Sequence, residues 1–211
     1  LGTIATGTWN GSVIAGAYGG TGVANTGKTI TLGGNLTTSG AYALTLTQTP
    51  NAEDTNRSTA TWTNVANAYD SSTATSAALS ITQNPSIAIF KRLGLKGFNF
   101  SNIPYGAKIN NITVTVNQNV SSPTNTFGYV SFAFYANGTL GTSYSLTLSS
   151  NSNTSDTVTV SGVTANDLKA SDFAFVYEVG MQIGTKTGTA SFSYASIAVN
   201  YSTESWGSLY L

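Results

Sequence analysis

Residues 108–118 read KINNITVTVNQ and alternate between polar and apolar side chains. Ile112, Val114 and Val116 share one face of an extended chain, and Asn111, Thr113 and Thr115 share the other. Because successive side chains of a β-strand point to opposite faces, this pattern predicts a strand with one buried and one solvated face. Such strands are typical of antiparallel sheets packed as a sandwich.

Other runs of β-forming residues flank this stretch at the spacing of a sandwich. They cover residues 59–63, 77–82, 87–100 with a break near Gly94, 127–135, 144–149, 157–160, 173–183 and 190–201. Residues 165–169 are the exception and predict a helical turn capped by Thr164. The sequence therefore predicts an all-β fold with an antiparallel, jelly-roll-like β-sandwich.

The first part of the chain differs, because glycine recurs every few residues and Lys28 is its one charged side chain before residue 48. Its short β-type pieces are separated by glycine-containing turns and cannot bury a core alone. Segments of this kind pack against copies of themselves, so we expect a homo-oligomer. We expect a β-stalk or attachment segment at 1–50, the sandwich at 51–203 and an apolar tail at 204–211.

The residues from Gly22 to Thr29, GVANTGKT, match the phosphate-binding loop of many NTPases. That loop works between a buried strand and a helix, whose free N–H groups hold the phosphate. Here residues 14–20 are broken by glycines, and Gly33 and Gly34 would together cost a following helix about 2 kcal/mol. We predict that the match is accidental and that no nucleotide binds.

The composition excludes several classes of function. Only 8% of the 211 residues are charged and the net charge is zero, so the basis for nucleic-acid binding is missing. The chain has no cysteine and no histidine, which removes thiolate chemistry and the commonest general base. No apolar run approaches the roughly 20 residues that span a bilayer, so we expect no membrane insertion. We also expect no cofactor. We expect no metal site, since the sequence has no D-x-D-x-D run of the kind that binds calcium.

Two sets of motifs carry a resemblance to known proteins. Residues 2–11 (GTIATGTWNG), 19–22 (GGTG) and 28–40 (KTITLGGNLTTSG) resemble a repeat of bacteriophage tail-fibre and related structural proteins. That resemblance implies a slender trimeric β-structure between a virion anchor and a distal head. A second set is similar, more loosely, to a β-sandwich module of phage and bacterial surface proteins, with which no catalytic residues are associated. It comprises residues 60–68, 97–100, 103–109, 165–173 and 195–201.

A pair of acidic residues can hydrolyse a glycosidic bond when the two carboxylates flank it, so each acidic residue is a candidate for such a pair. Asp167 and Asp172 bracket a turn, where we expect them to cap backbone N–H groups. Glu178 lies within a predicted strand, where we expect an edge or outward-facing structural role. We predict no catalytic site. An enzyme that acts on carbohydrates through Glu178 or Asp70 is the alternative to this prediction.

Aromatic side chains on solvated faces are the candidates for recognition, since sugar rings stack on flat side chains. Tyr129 and Tyr135 lie opposite the apolar residues of their strand, and Trp62 and Tyr69 lie near a loop-rich segment. For Trp62 we favour ordinary packing over ligand contact. Contacts between subunits are expected from aromatic and apolar residues of the two terminal segments, which are Trp9, Tyr18, Trp206, Leu209 and Tyr210.

The function that we expect is that of a non-enzymatic virion protein, a fibre or appendage of a phage, with an extracellular location on the virion. Its sandwich would contact a host-surface polysaccharide or another virion protein, and a trimer is favoured. The alternative is a filament or adhesin subunit of a cell surface that assembles by strand exchange.

Overall fold

A computed structural model describes residues 43–83, 89–121, 126–150 and 154–202. The described part is almost entirely β-structure, with two antiparallel sheets packed against each other. The predicted all-β sandwich is therefore confirmed. The phosphate-loop match from Gly22 to Thr29 lies outside the described residues. The subunit contacts predicted for Trp9, Tyr18, Trp206, Leu209 and Tyr210 lie outside them too.

The described chain contains eleven strands, a 3₁₀ helix at Val65–Ala68 and a short α-helix. The strands are β1 (Ala43–Gln48), β2 (Ala52–Glu53), β3 (Ala77–Gln83), β4 (Ile89–Lys96), β5 (Lys108–Val120), β6 (Phe127–Ala136), β7 (Thr139–Leu140), β8 (Tyr144–Leu146), β9 (Thr154–Val160), β10 (Ala174–Met181) and β11 (Lys186–Ser202). The helix α1 (Ala165–Leu168) precedes β10. None of these helices is long and apolar enough to cross a membrane.

The first sheet has the order β1-β11-β5-β9, and β3 also pairs with β11. The long strand β11 pairs with two strands in turn, because its first seven residues pair with β3 and its last six residues pair with β1. The strand β1 lies before the predicted domain boundary at residue 50, so the sandwich begins earlier in the chain than the sequence indicated.

The second sheet has the order β2-β4-β10-β6-β7, and β8 also pairs with β6. The central strand β10 is antiparallel to both β4 and β6. Its register places Glu178 directly between Arg92 of β4 and Ser131 of β6. This sheet carries the candidate site on the face that points away from the core.

The core lies between the two sheets and follows the predicted alternation. The residues Ile112, Val114 and Val116 of β5 are buried, as are Val130, Phe132 and Phe134 of β6. A cluster of rings fills the centre, where Phe132 stacks on Phe175 at 5.1 Å between ring centres. One polar pair is buried with them, since the Tyr177 hydroxyl donates to Oε1 of Gln118 at 3.1 Å.

Two local predictions are wrong. Residues 59–63 form no strand and contribute only an isolated bridge between Thr63 and Ala78. No break occurs at Gly94, which stays inside β4. A side chain at Gly94 would lie 2.6 Å from the Asp54 carbonyl oxygen and 2.8 Å from Cβ of Arg57. Glycine is required there because Asp54 and Arg57 pack directly against the backbone of β4 at this position.

The helix α1 confirms the predicted cap. Thr164 accepts a hydrogen bond from the Asp167 backbone N–H, and the Asp167 carboxylate accepts one from the Thr164 backbone N–H. This reciprocal pair satisfies two N–H groups that the first turn leaves without partners. The cap fixes the chain just before it enters β10.

Candidate functional site

The outer face of the second sheet combines aromatic, charged and buried polar side chains. Three rows of residues cross it from β4 through β10 to β6. They are Phe90, Gly180 and Tyr129; then Arg92, Glu178 and Ser131; then Gly94, Val176 and Ala133. Successive rows are two residues apart along β10. The face therefore extends for roughly 20 Å from Gly180 back to Ala174, where β10 begins.

The first row forms an exposed aromatic platform, which we define as Phe90 and Tyr129. Phe90 is 49% exposed and Tyr129 is 38% exposed, with 5.8 Å between their ring centres. The Tyr129 ring covers Gly180, because a Cβ built on that glycine would lie 2.2 Å from Cε1 of the ring. The ring therefore rests on the backbone of β10 and keeps part of its surface in solvent.

The second row holds the platform in place. The Tyr129 hydroxyl donates to Oε1 of Glu178 at 2.8 Å, and Nε of Arg92 donates to Oε2 at 2.6 Å. Partial burial and then the hydrogen bond to Glu178 raise the pKa of Tyr129 far above its ordinary value of 10, so the phenol stays neutral and donates. Glu178 faces outward, as predicted, and its two carboxylate oxygens orient an aromatic ring and a guanidinium.

A groove of about 380 Å³ continues from Arg92 along this face. Its lining, which defines the outer-face groove, is Asn56, Arg57, Thr59, Arg92, Tyr135, Leu140 and Val176. The Arg57 guanidinium lies over the Tyr135 ring, 3.9 Å from its centre, and bonds to Asp54 at 2.9 Å. Tyr135 thus lines the groove, although Arg57 covers one face of its ring.

A smaller cavity of about 110 Å³ opens beside the groove. Its lining, which defines the Ser131 cavity, is Arg92, Ser131, Phe132, Ala133, Leu140, Ser143, Val176 and Glu178. Arg92, Leu140 and Val176 line both spaces, so the groove and the cavity are adjacent parts of one surface. Ser131 and Ala133 are buried here although their strand turns them away from the core.

The other two aromatic candidates lie elsewhere. Trp62 is only 5% exposed, its indole N–H donates to the Arg92 carbonyl oxygen at 3.0 Å, and its ring meets Tyr177 edge-on. Its ring is therefore not available to a ligand, and it serves the core packing that we favoured. Tyr69 is half-buried against the core, and burial followed by the charge of Glu53 raises the pKa of its phenol.

A second depression of about 680 Å³ was not predicted from the sequence. It is bordered by residues 96–101, Tyr105 and residues 168–171 at the end of α1. Tyr105 is 85% exposed, and the Lys169 ammonium lies 4.2 Å from its ring centre. The signal in the sequence was an aromatic residue between Pro104 and Gly106, where a turn exposes the side chain. Lys169 already occupies one face of this ring.

The carboxylates other than Glu178 mostly organise loops, as predicted for two of them. Asp167 caps α1, and Asp172 accepts from the backbone N–H groups of Asn137 and Gly138 at 2.8 Å each. Asp70 accepts from Ser72 and Thr75 within its own loop. Among the described residues, no group of three or more acidic side chains is placed to hold a metal ion.

No protein-family model matches the sequence, and no curated protein matches it significantly.

Proposed function

We propose that this chain is a non-enzymatic structural protein of a phage fibre or appendage, and that its sandwich binds a surface glycan through the outer face of the second sheet. In this proposal the protein is an extracellular part of the virion. The resemblance of residues 2–40 to tail-fibre repeats supports the fibre, and the aromatic platform supports the glycan.

The aromatic platform is the observation that carries the glycan assignment. Tyr129 has one ring face on the Gly180 backbone and is held by Glu178, so the ring is already oriented before a ligand arrives. A fixed ring loses little conformational freedom on binding, which favours affinity. Sugars present apolar C–H faces and polar edges, and here a ring lies beside a carboxylate and a guanidinium. That combination suits a saccharide.

Binding is favoured over hydrolysis because the two oxygens of Glu178 hold Tyr129 and Arg92. Hydrolysis needs a second carboxylate across the scissile bond. Among the residues that line the outer-face groove and the Ser131 cavity, Glu178 is the one acidic side chain. We therefore expect turnover of host polysaccharides to be absent.

The expected oligomer strengthens a weak site. A shallow surface binds each ligand weakly, and three copies on one fibre raise the avidity without a new type of contact. Light scattering of the full chain tests this part, and a discrete trimer supports it. Fibres that grow with concentration would instead indicate the cellular filament that assembles by strand exchange.

A glycan array tests the binding site itself. The full chain is applied to an array of bacterial surface polysaccharides, together with the variants Tyr129→Ala and Tyr105→Ala. Both variants remove an exposed tyrosine, but only Tyr129 belongs to the platform. We expect signals that Tyr129→Ala abolishes and Tyr105→Ala preserves. The reverse pattern, or a wild-type chain that binds no glycan, would refute the assignment.

A further inference from the structure

The starting observation is a buried hydroxyl without a partner. Ser131 is 3% exposed, and its Oγ makes no hydrogen bond among the described residues. Glu178 lies opposite Ser131 across the strand pair, but its oxygens accept hydrogen bonds from Tyr129 and Arg92. Buried hydroxyls are nearly always hydrogen-bonded, so one that is not marks a place where a ligand can supply the bond.

The space beside Ser131 has a definite chemical character. Ser131 contributes a hydroxyl to its lining, and Ala133, Leu140 and Val176 contribute apolar surface, while Ser143, Arg92 and Glu178 add polar atoms. A water molecule takes about 30 Å³ of the liquid, so a cavity of about 110 Å³ accepts a group of several atoms. A group that fits both surfaces has a methyl or similar apolar end and one polar atom.

We propose that the Ser131 cavity is a subsite for the acetamido group of an N-acetylated sugar. This inference rests on the glycan binding proposed above, and it names the class of sugar. The methyl group would contact Leu140 and Val176, and the carbonyl oxygen would accept a hydrogen bond from the Ser131 hydroxyl. A sugar hydroxyl in the same position would leave the apolar surface uncovered. An ionised group would lose its hydration without gaining a free counter-charge, because Arg92 and Glu178 of the lining are already paired with each other.

The position of the cavity suits a sugar that is bound along the groove. Arg92, Leu140 and Val176 line the cavity and also line the groove. Leu140 is 37% exposed, so it has room to turn aside when a substituent enters, while Arg92 stays paired with Glu178. The ring of the sugar then remains in the outer-face groove while its acetamido arm reaches Ser131.

Matched saccharide pairs test the subsite. Binding of the full chain is measured by calorimetry to oligosaccharides of N-acetylglucosamine and N-acetylgalactosamine, and to the glucose and galactose oligosaccharides of the same linkage. We expect the N-acetylated member of at least one pair to bind about 10-fold more tightly, which corresponds to about 1.4 kcal/mol.

Three variants locate that preference in the molecule. Ser131→Ala removes the donor, and Ala133→Val fills the cavity from the same strand, so each should reduce the preference to less than about 3-fold. Ser145→Ala is the control, because Ser145 is the exposed neighbour of Ser131 on β8. It should keep the full preference. Thermal unfolding of each variant verifies that it is folded.

The results separate this inference from the proposed function. Equal binding of both members of every pair, or a preference that Ser131→Ala leaves unchanged, would show that the cavity holds only water and would overturn the subsite. Glycan binding would then still stand. A wild-type chain that binds no saccharide would overturn both.

Discussion

Replacing Gly180 with alanine perturbs the platform without removing any of its side chains. The new Cβ would lie 2.2 Å from Cε1 of Tyr129 and 2.6 Å from Cδ1 and Cζ, where ordinary contacts begin at 3.4 Å. The ring must therefore move by about 1.2 Å, the difference between 2.2 and 3.4 Å. That shift breaks its 2.8 Å bond to Glu178.

The magnitude follows from two opposing effects. A hydrogen bond to a charged group contributes about 1.5–3 kcal/mol, which we reduce to about 1–2 kcal/mol because Tyr129 is partly exposed. Replacing glycine with alanine also stabilises the fold by about 0.4–1 kcal/mol through the unfolded chain. We expect Gly180→Ala to lower the free energy of unfolding by up to about 1.6 kcal/mol, with Tyr129 displaced.

Urea unfolding measures this effect, and Gly128→Ala is the matched control. A Cβ at Gly128 would meet only Cγ of Gln182, at an ordinary 3.5 Å. The control should be neutral or slightly stabilised, so the two variants should differ by about 1–2 kcal/mol. Glycan affinity should fall in Gly180→Ala alone. Equal stability of both variants, with unchanged NMR signals of the Tyr129 ring, would refute the account of the platform.

Three further predictions concern the rest of the molecule. Tyr177→Phe removes the hydroxyl that donates to Gln118, so urea unfolding should show a loss of about 1–2 kcal/mol, and an unchanged midpoint would contradict the buried bond. Backbone hydrogen bonds lower the pKa of Asp167 and of Asp172 below the usual 3.8. The two carboxylates therefore stabilise the fold at pH values above 3.8, and this stabilisation is lost as the pH falls through their pKa values in the folded protein. With no histidine in the chain, the thermal midpoint should be flat from about pH 5 to 8 and fall below about pH 4, and a steep change near pH 6.5 would contradict this. Calorimetry with ATP should show no binding to the segment from Gly22 to Thr29, and saturable binding would overturn the interpretation of that motif as turns.

The alternation of side chains was enough to predict the core. The residues Val114, Val116, Phe132 and Phe134 point inward because their strands are regular and antiparallel, and a period of two can be read without knowing the partners. The short cap of α1 at Thr164 could be predicted for the same reason, since its hydrogen bonds join residues three positions apart.

The candidate site depends on contacts that no local pattern reveals. Arg92 and Glu178 are 86 residues apart in sequence, and Tyr129 and Glu178 are 49 apart. Ser131 alternates with Val130 and Phe132 in the sequence, and this pattern by itself predicts a solvated side chain. Its burial depends on where separate segments of the chain pack against the outer face. The β-type run at residues 59–63 predicts a strand around Trp62, whereas its indole packs edge-on against Tyr177 of β10 in a segment that forms no strand.

The most direct test of the central claim maps where a glycan touches the protein. Backbone and tyrosine NMR signals of the full chain are recorded during titration with the saccharide that gives the strongest signal on the array. We expect shifts on the outer face of the second sheet, centred on Phe90, Tyr129 and Glu178. Shifts centred on Tyr105 and Lys169, or spread over the first sheet, would contradict it.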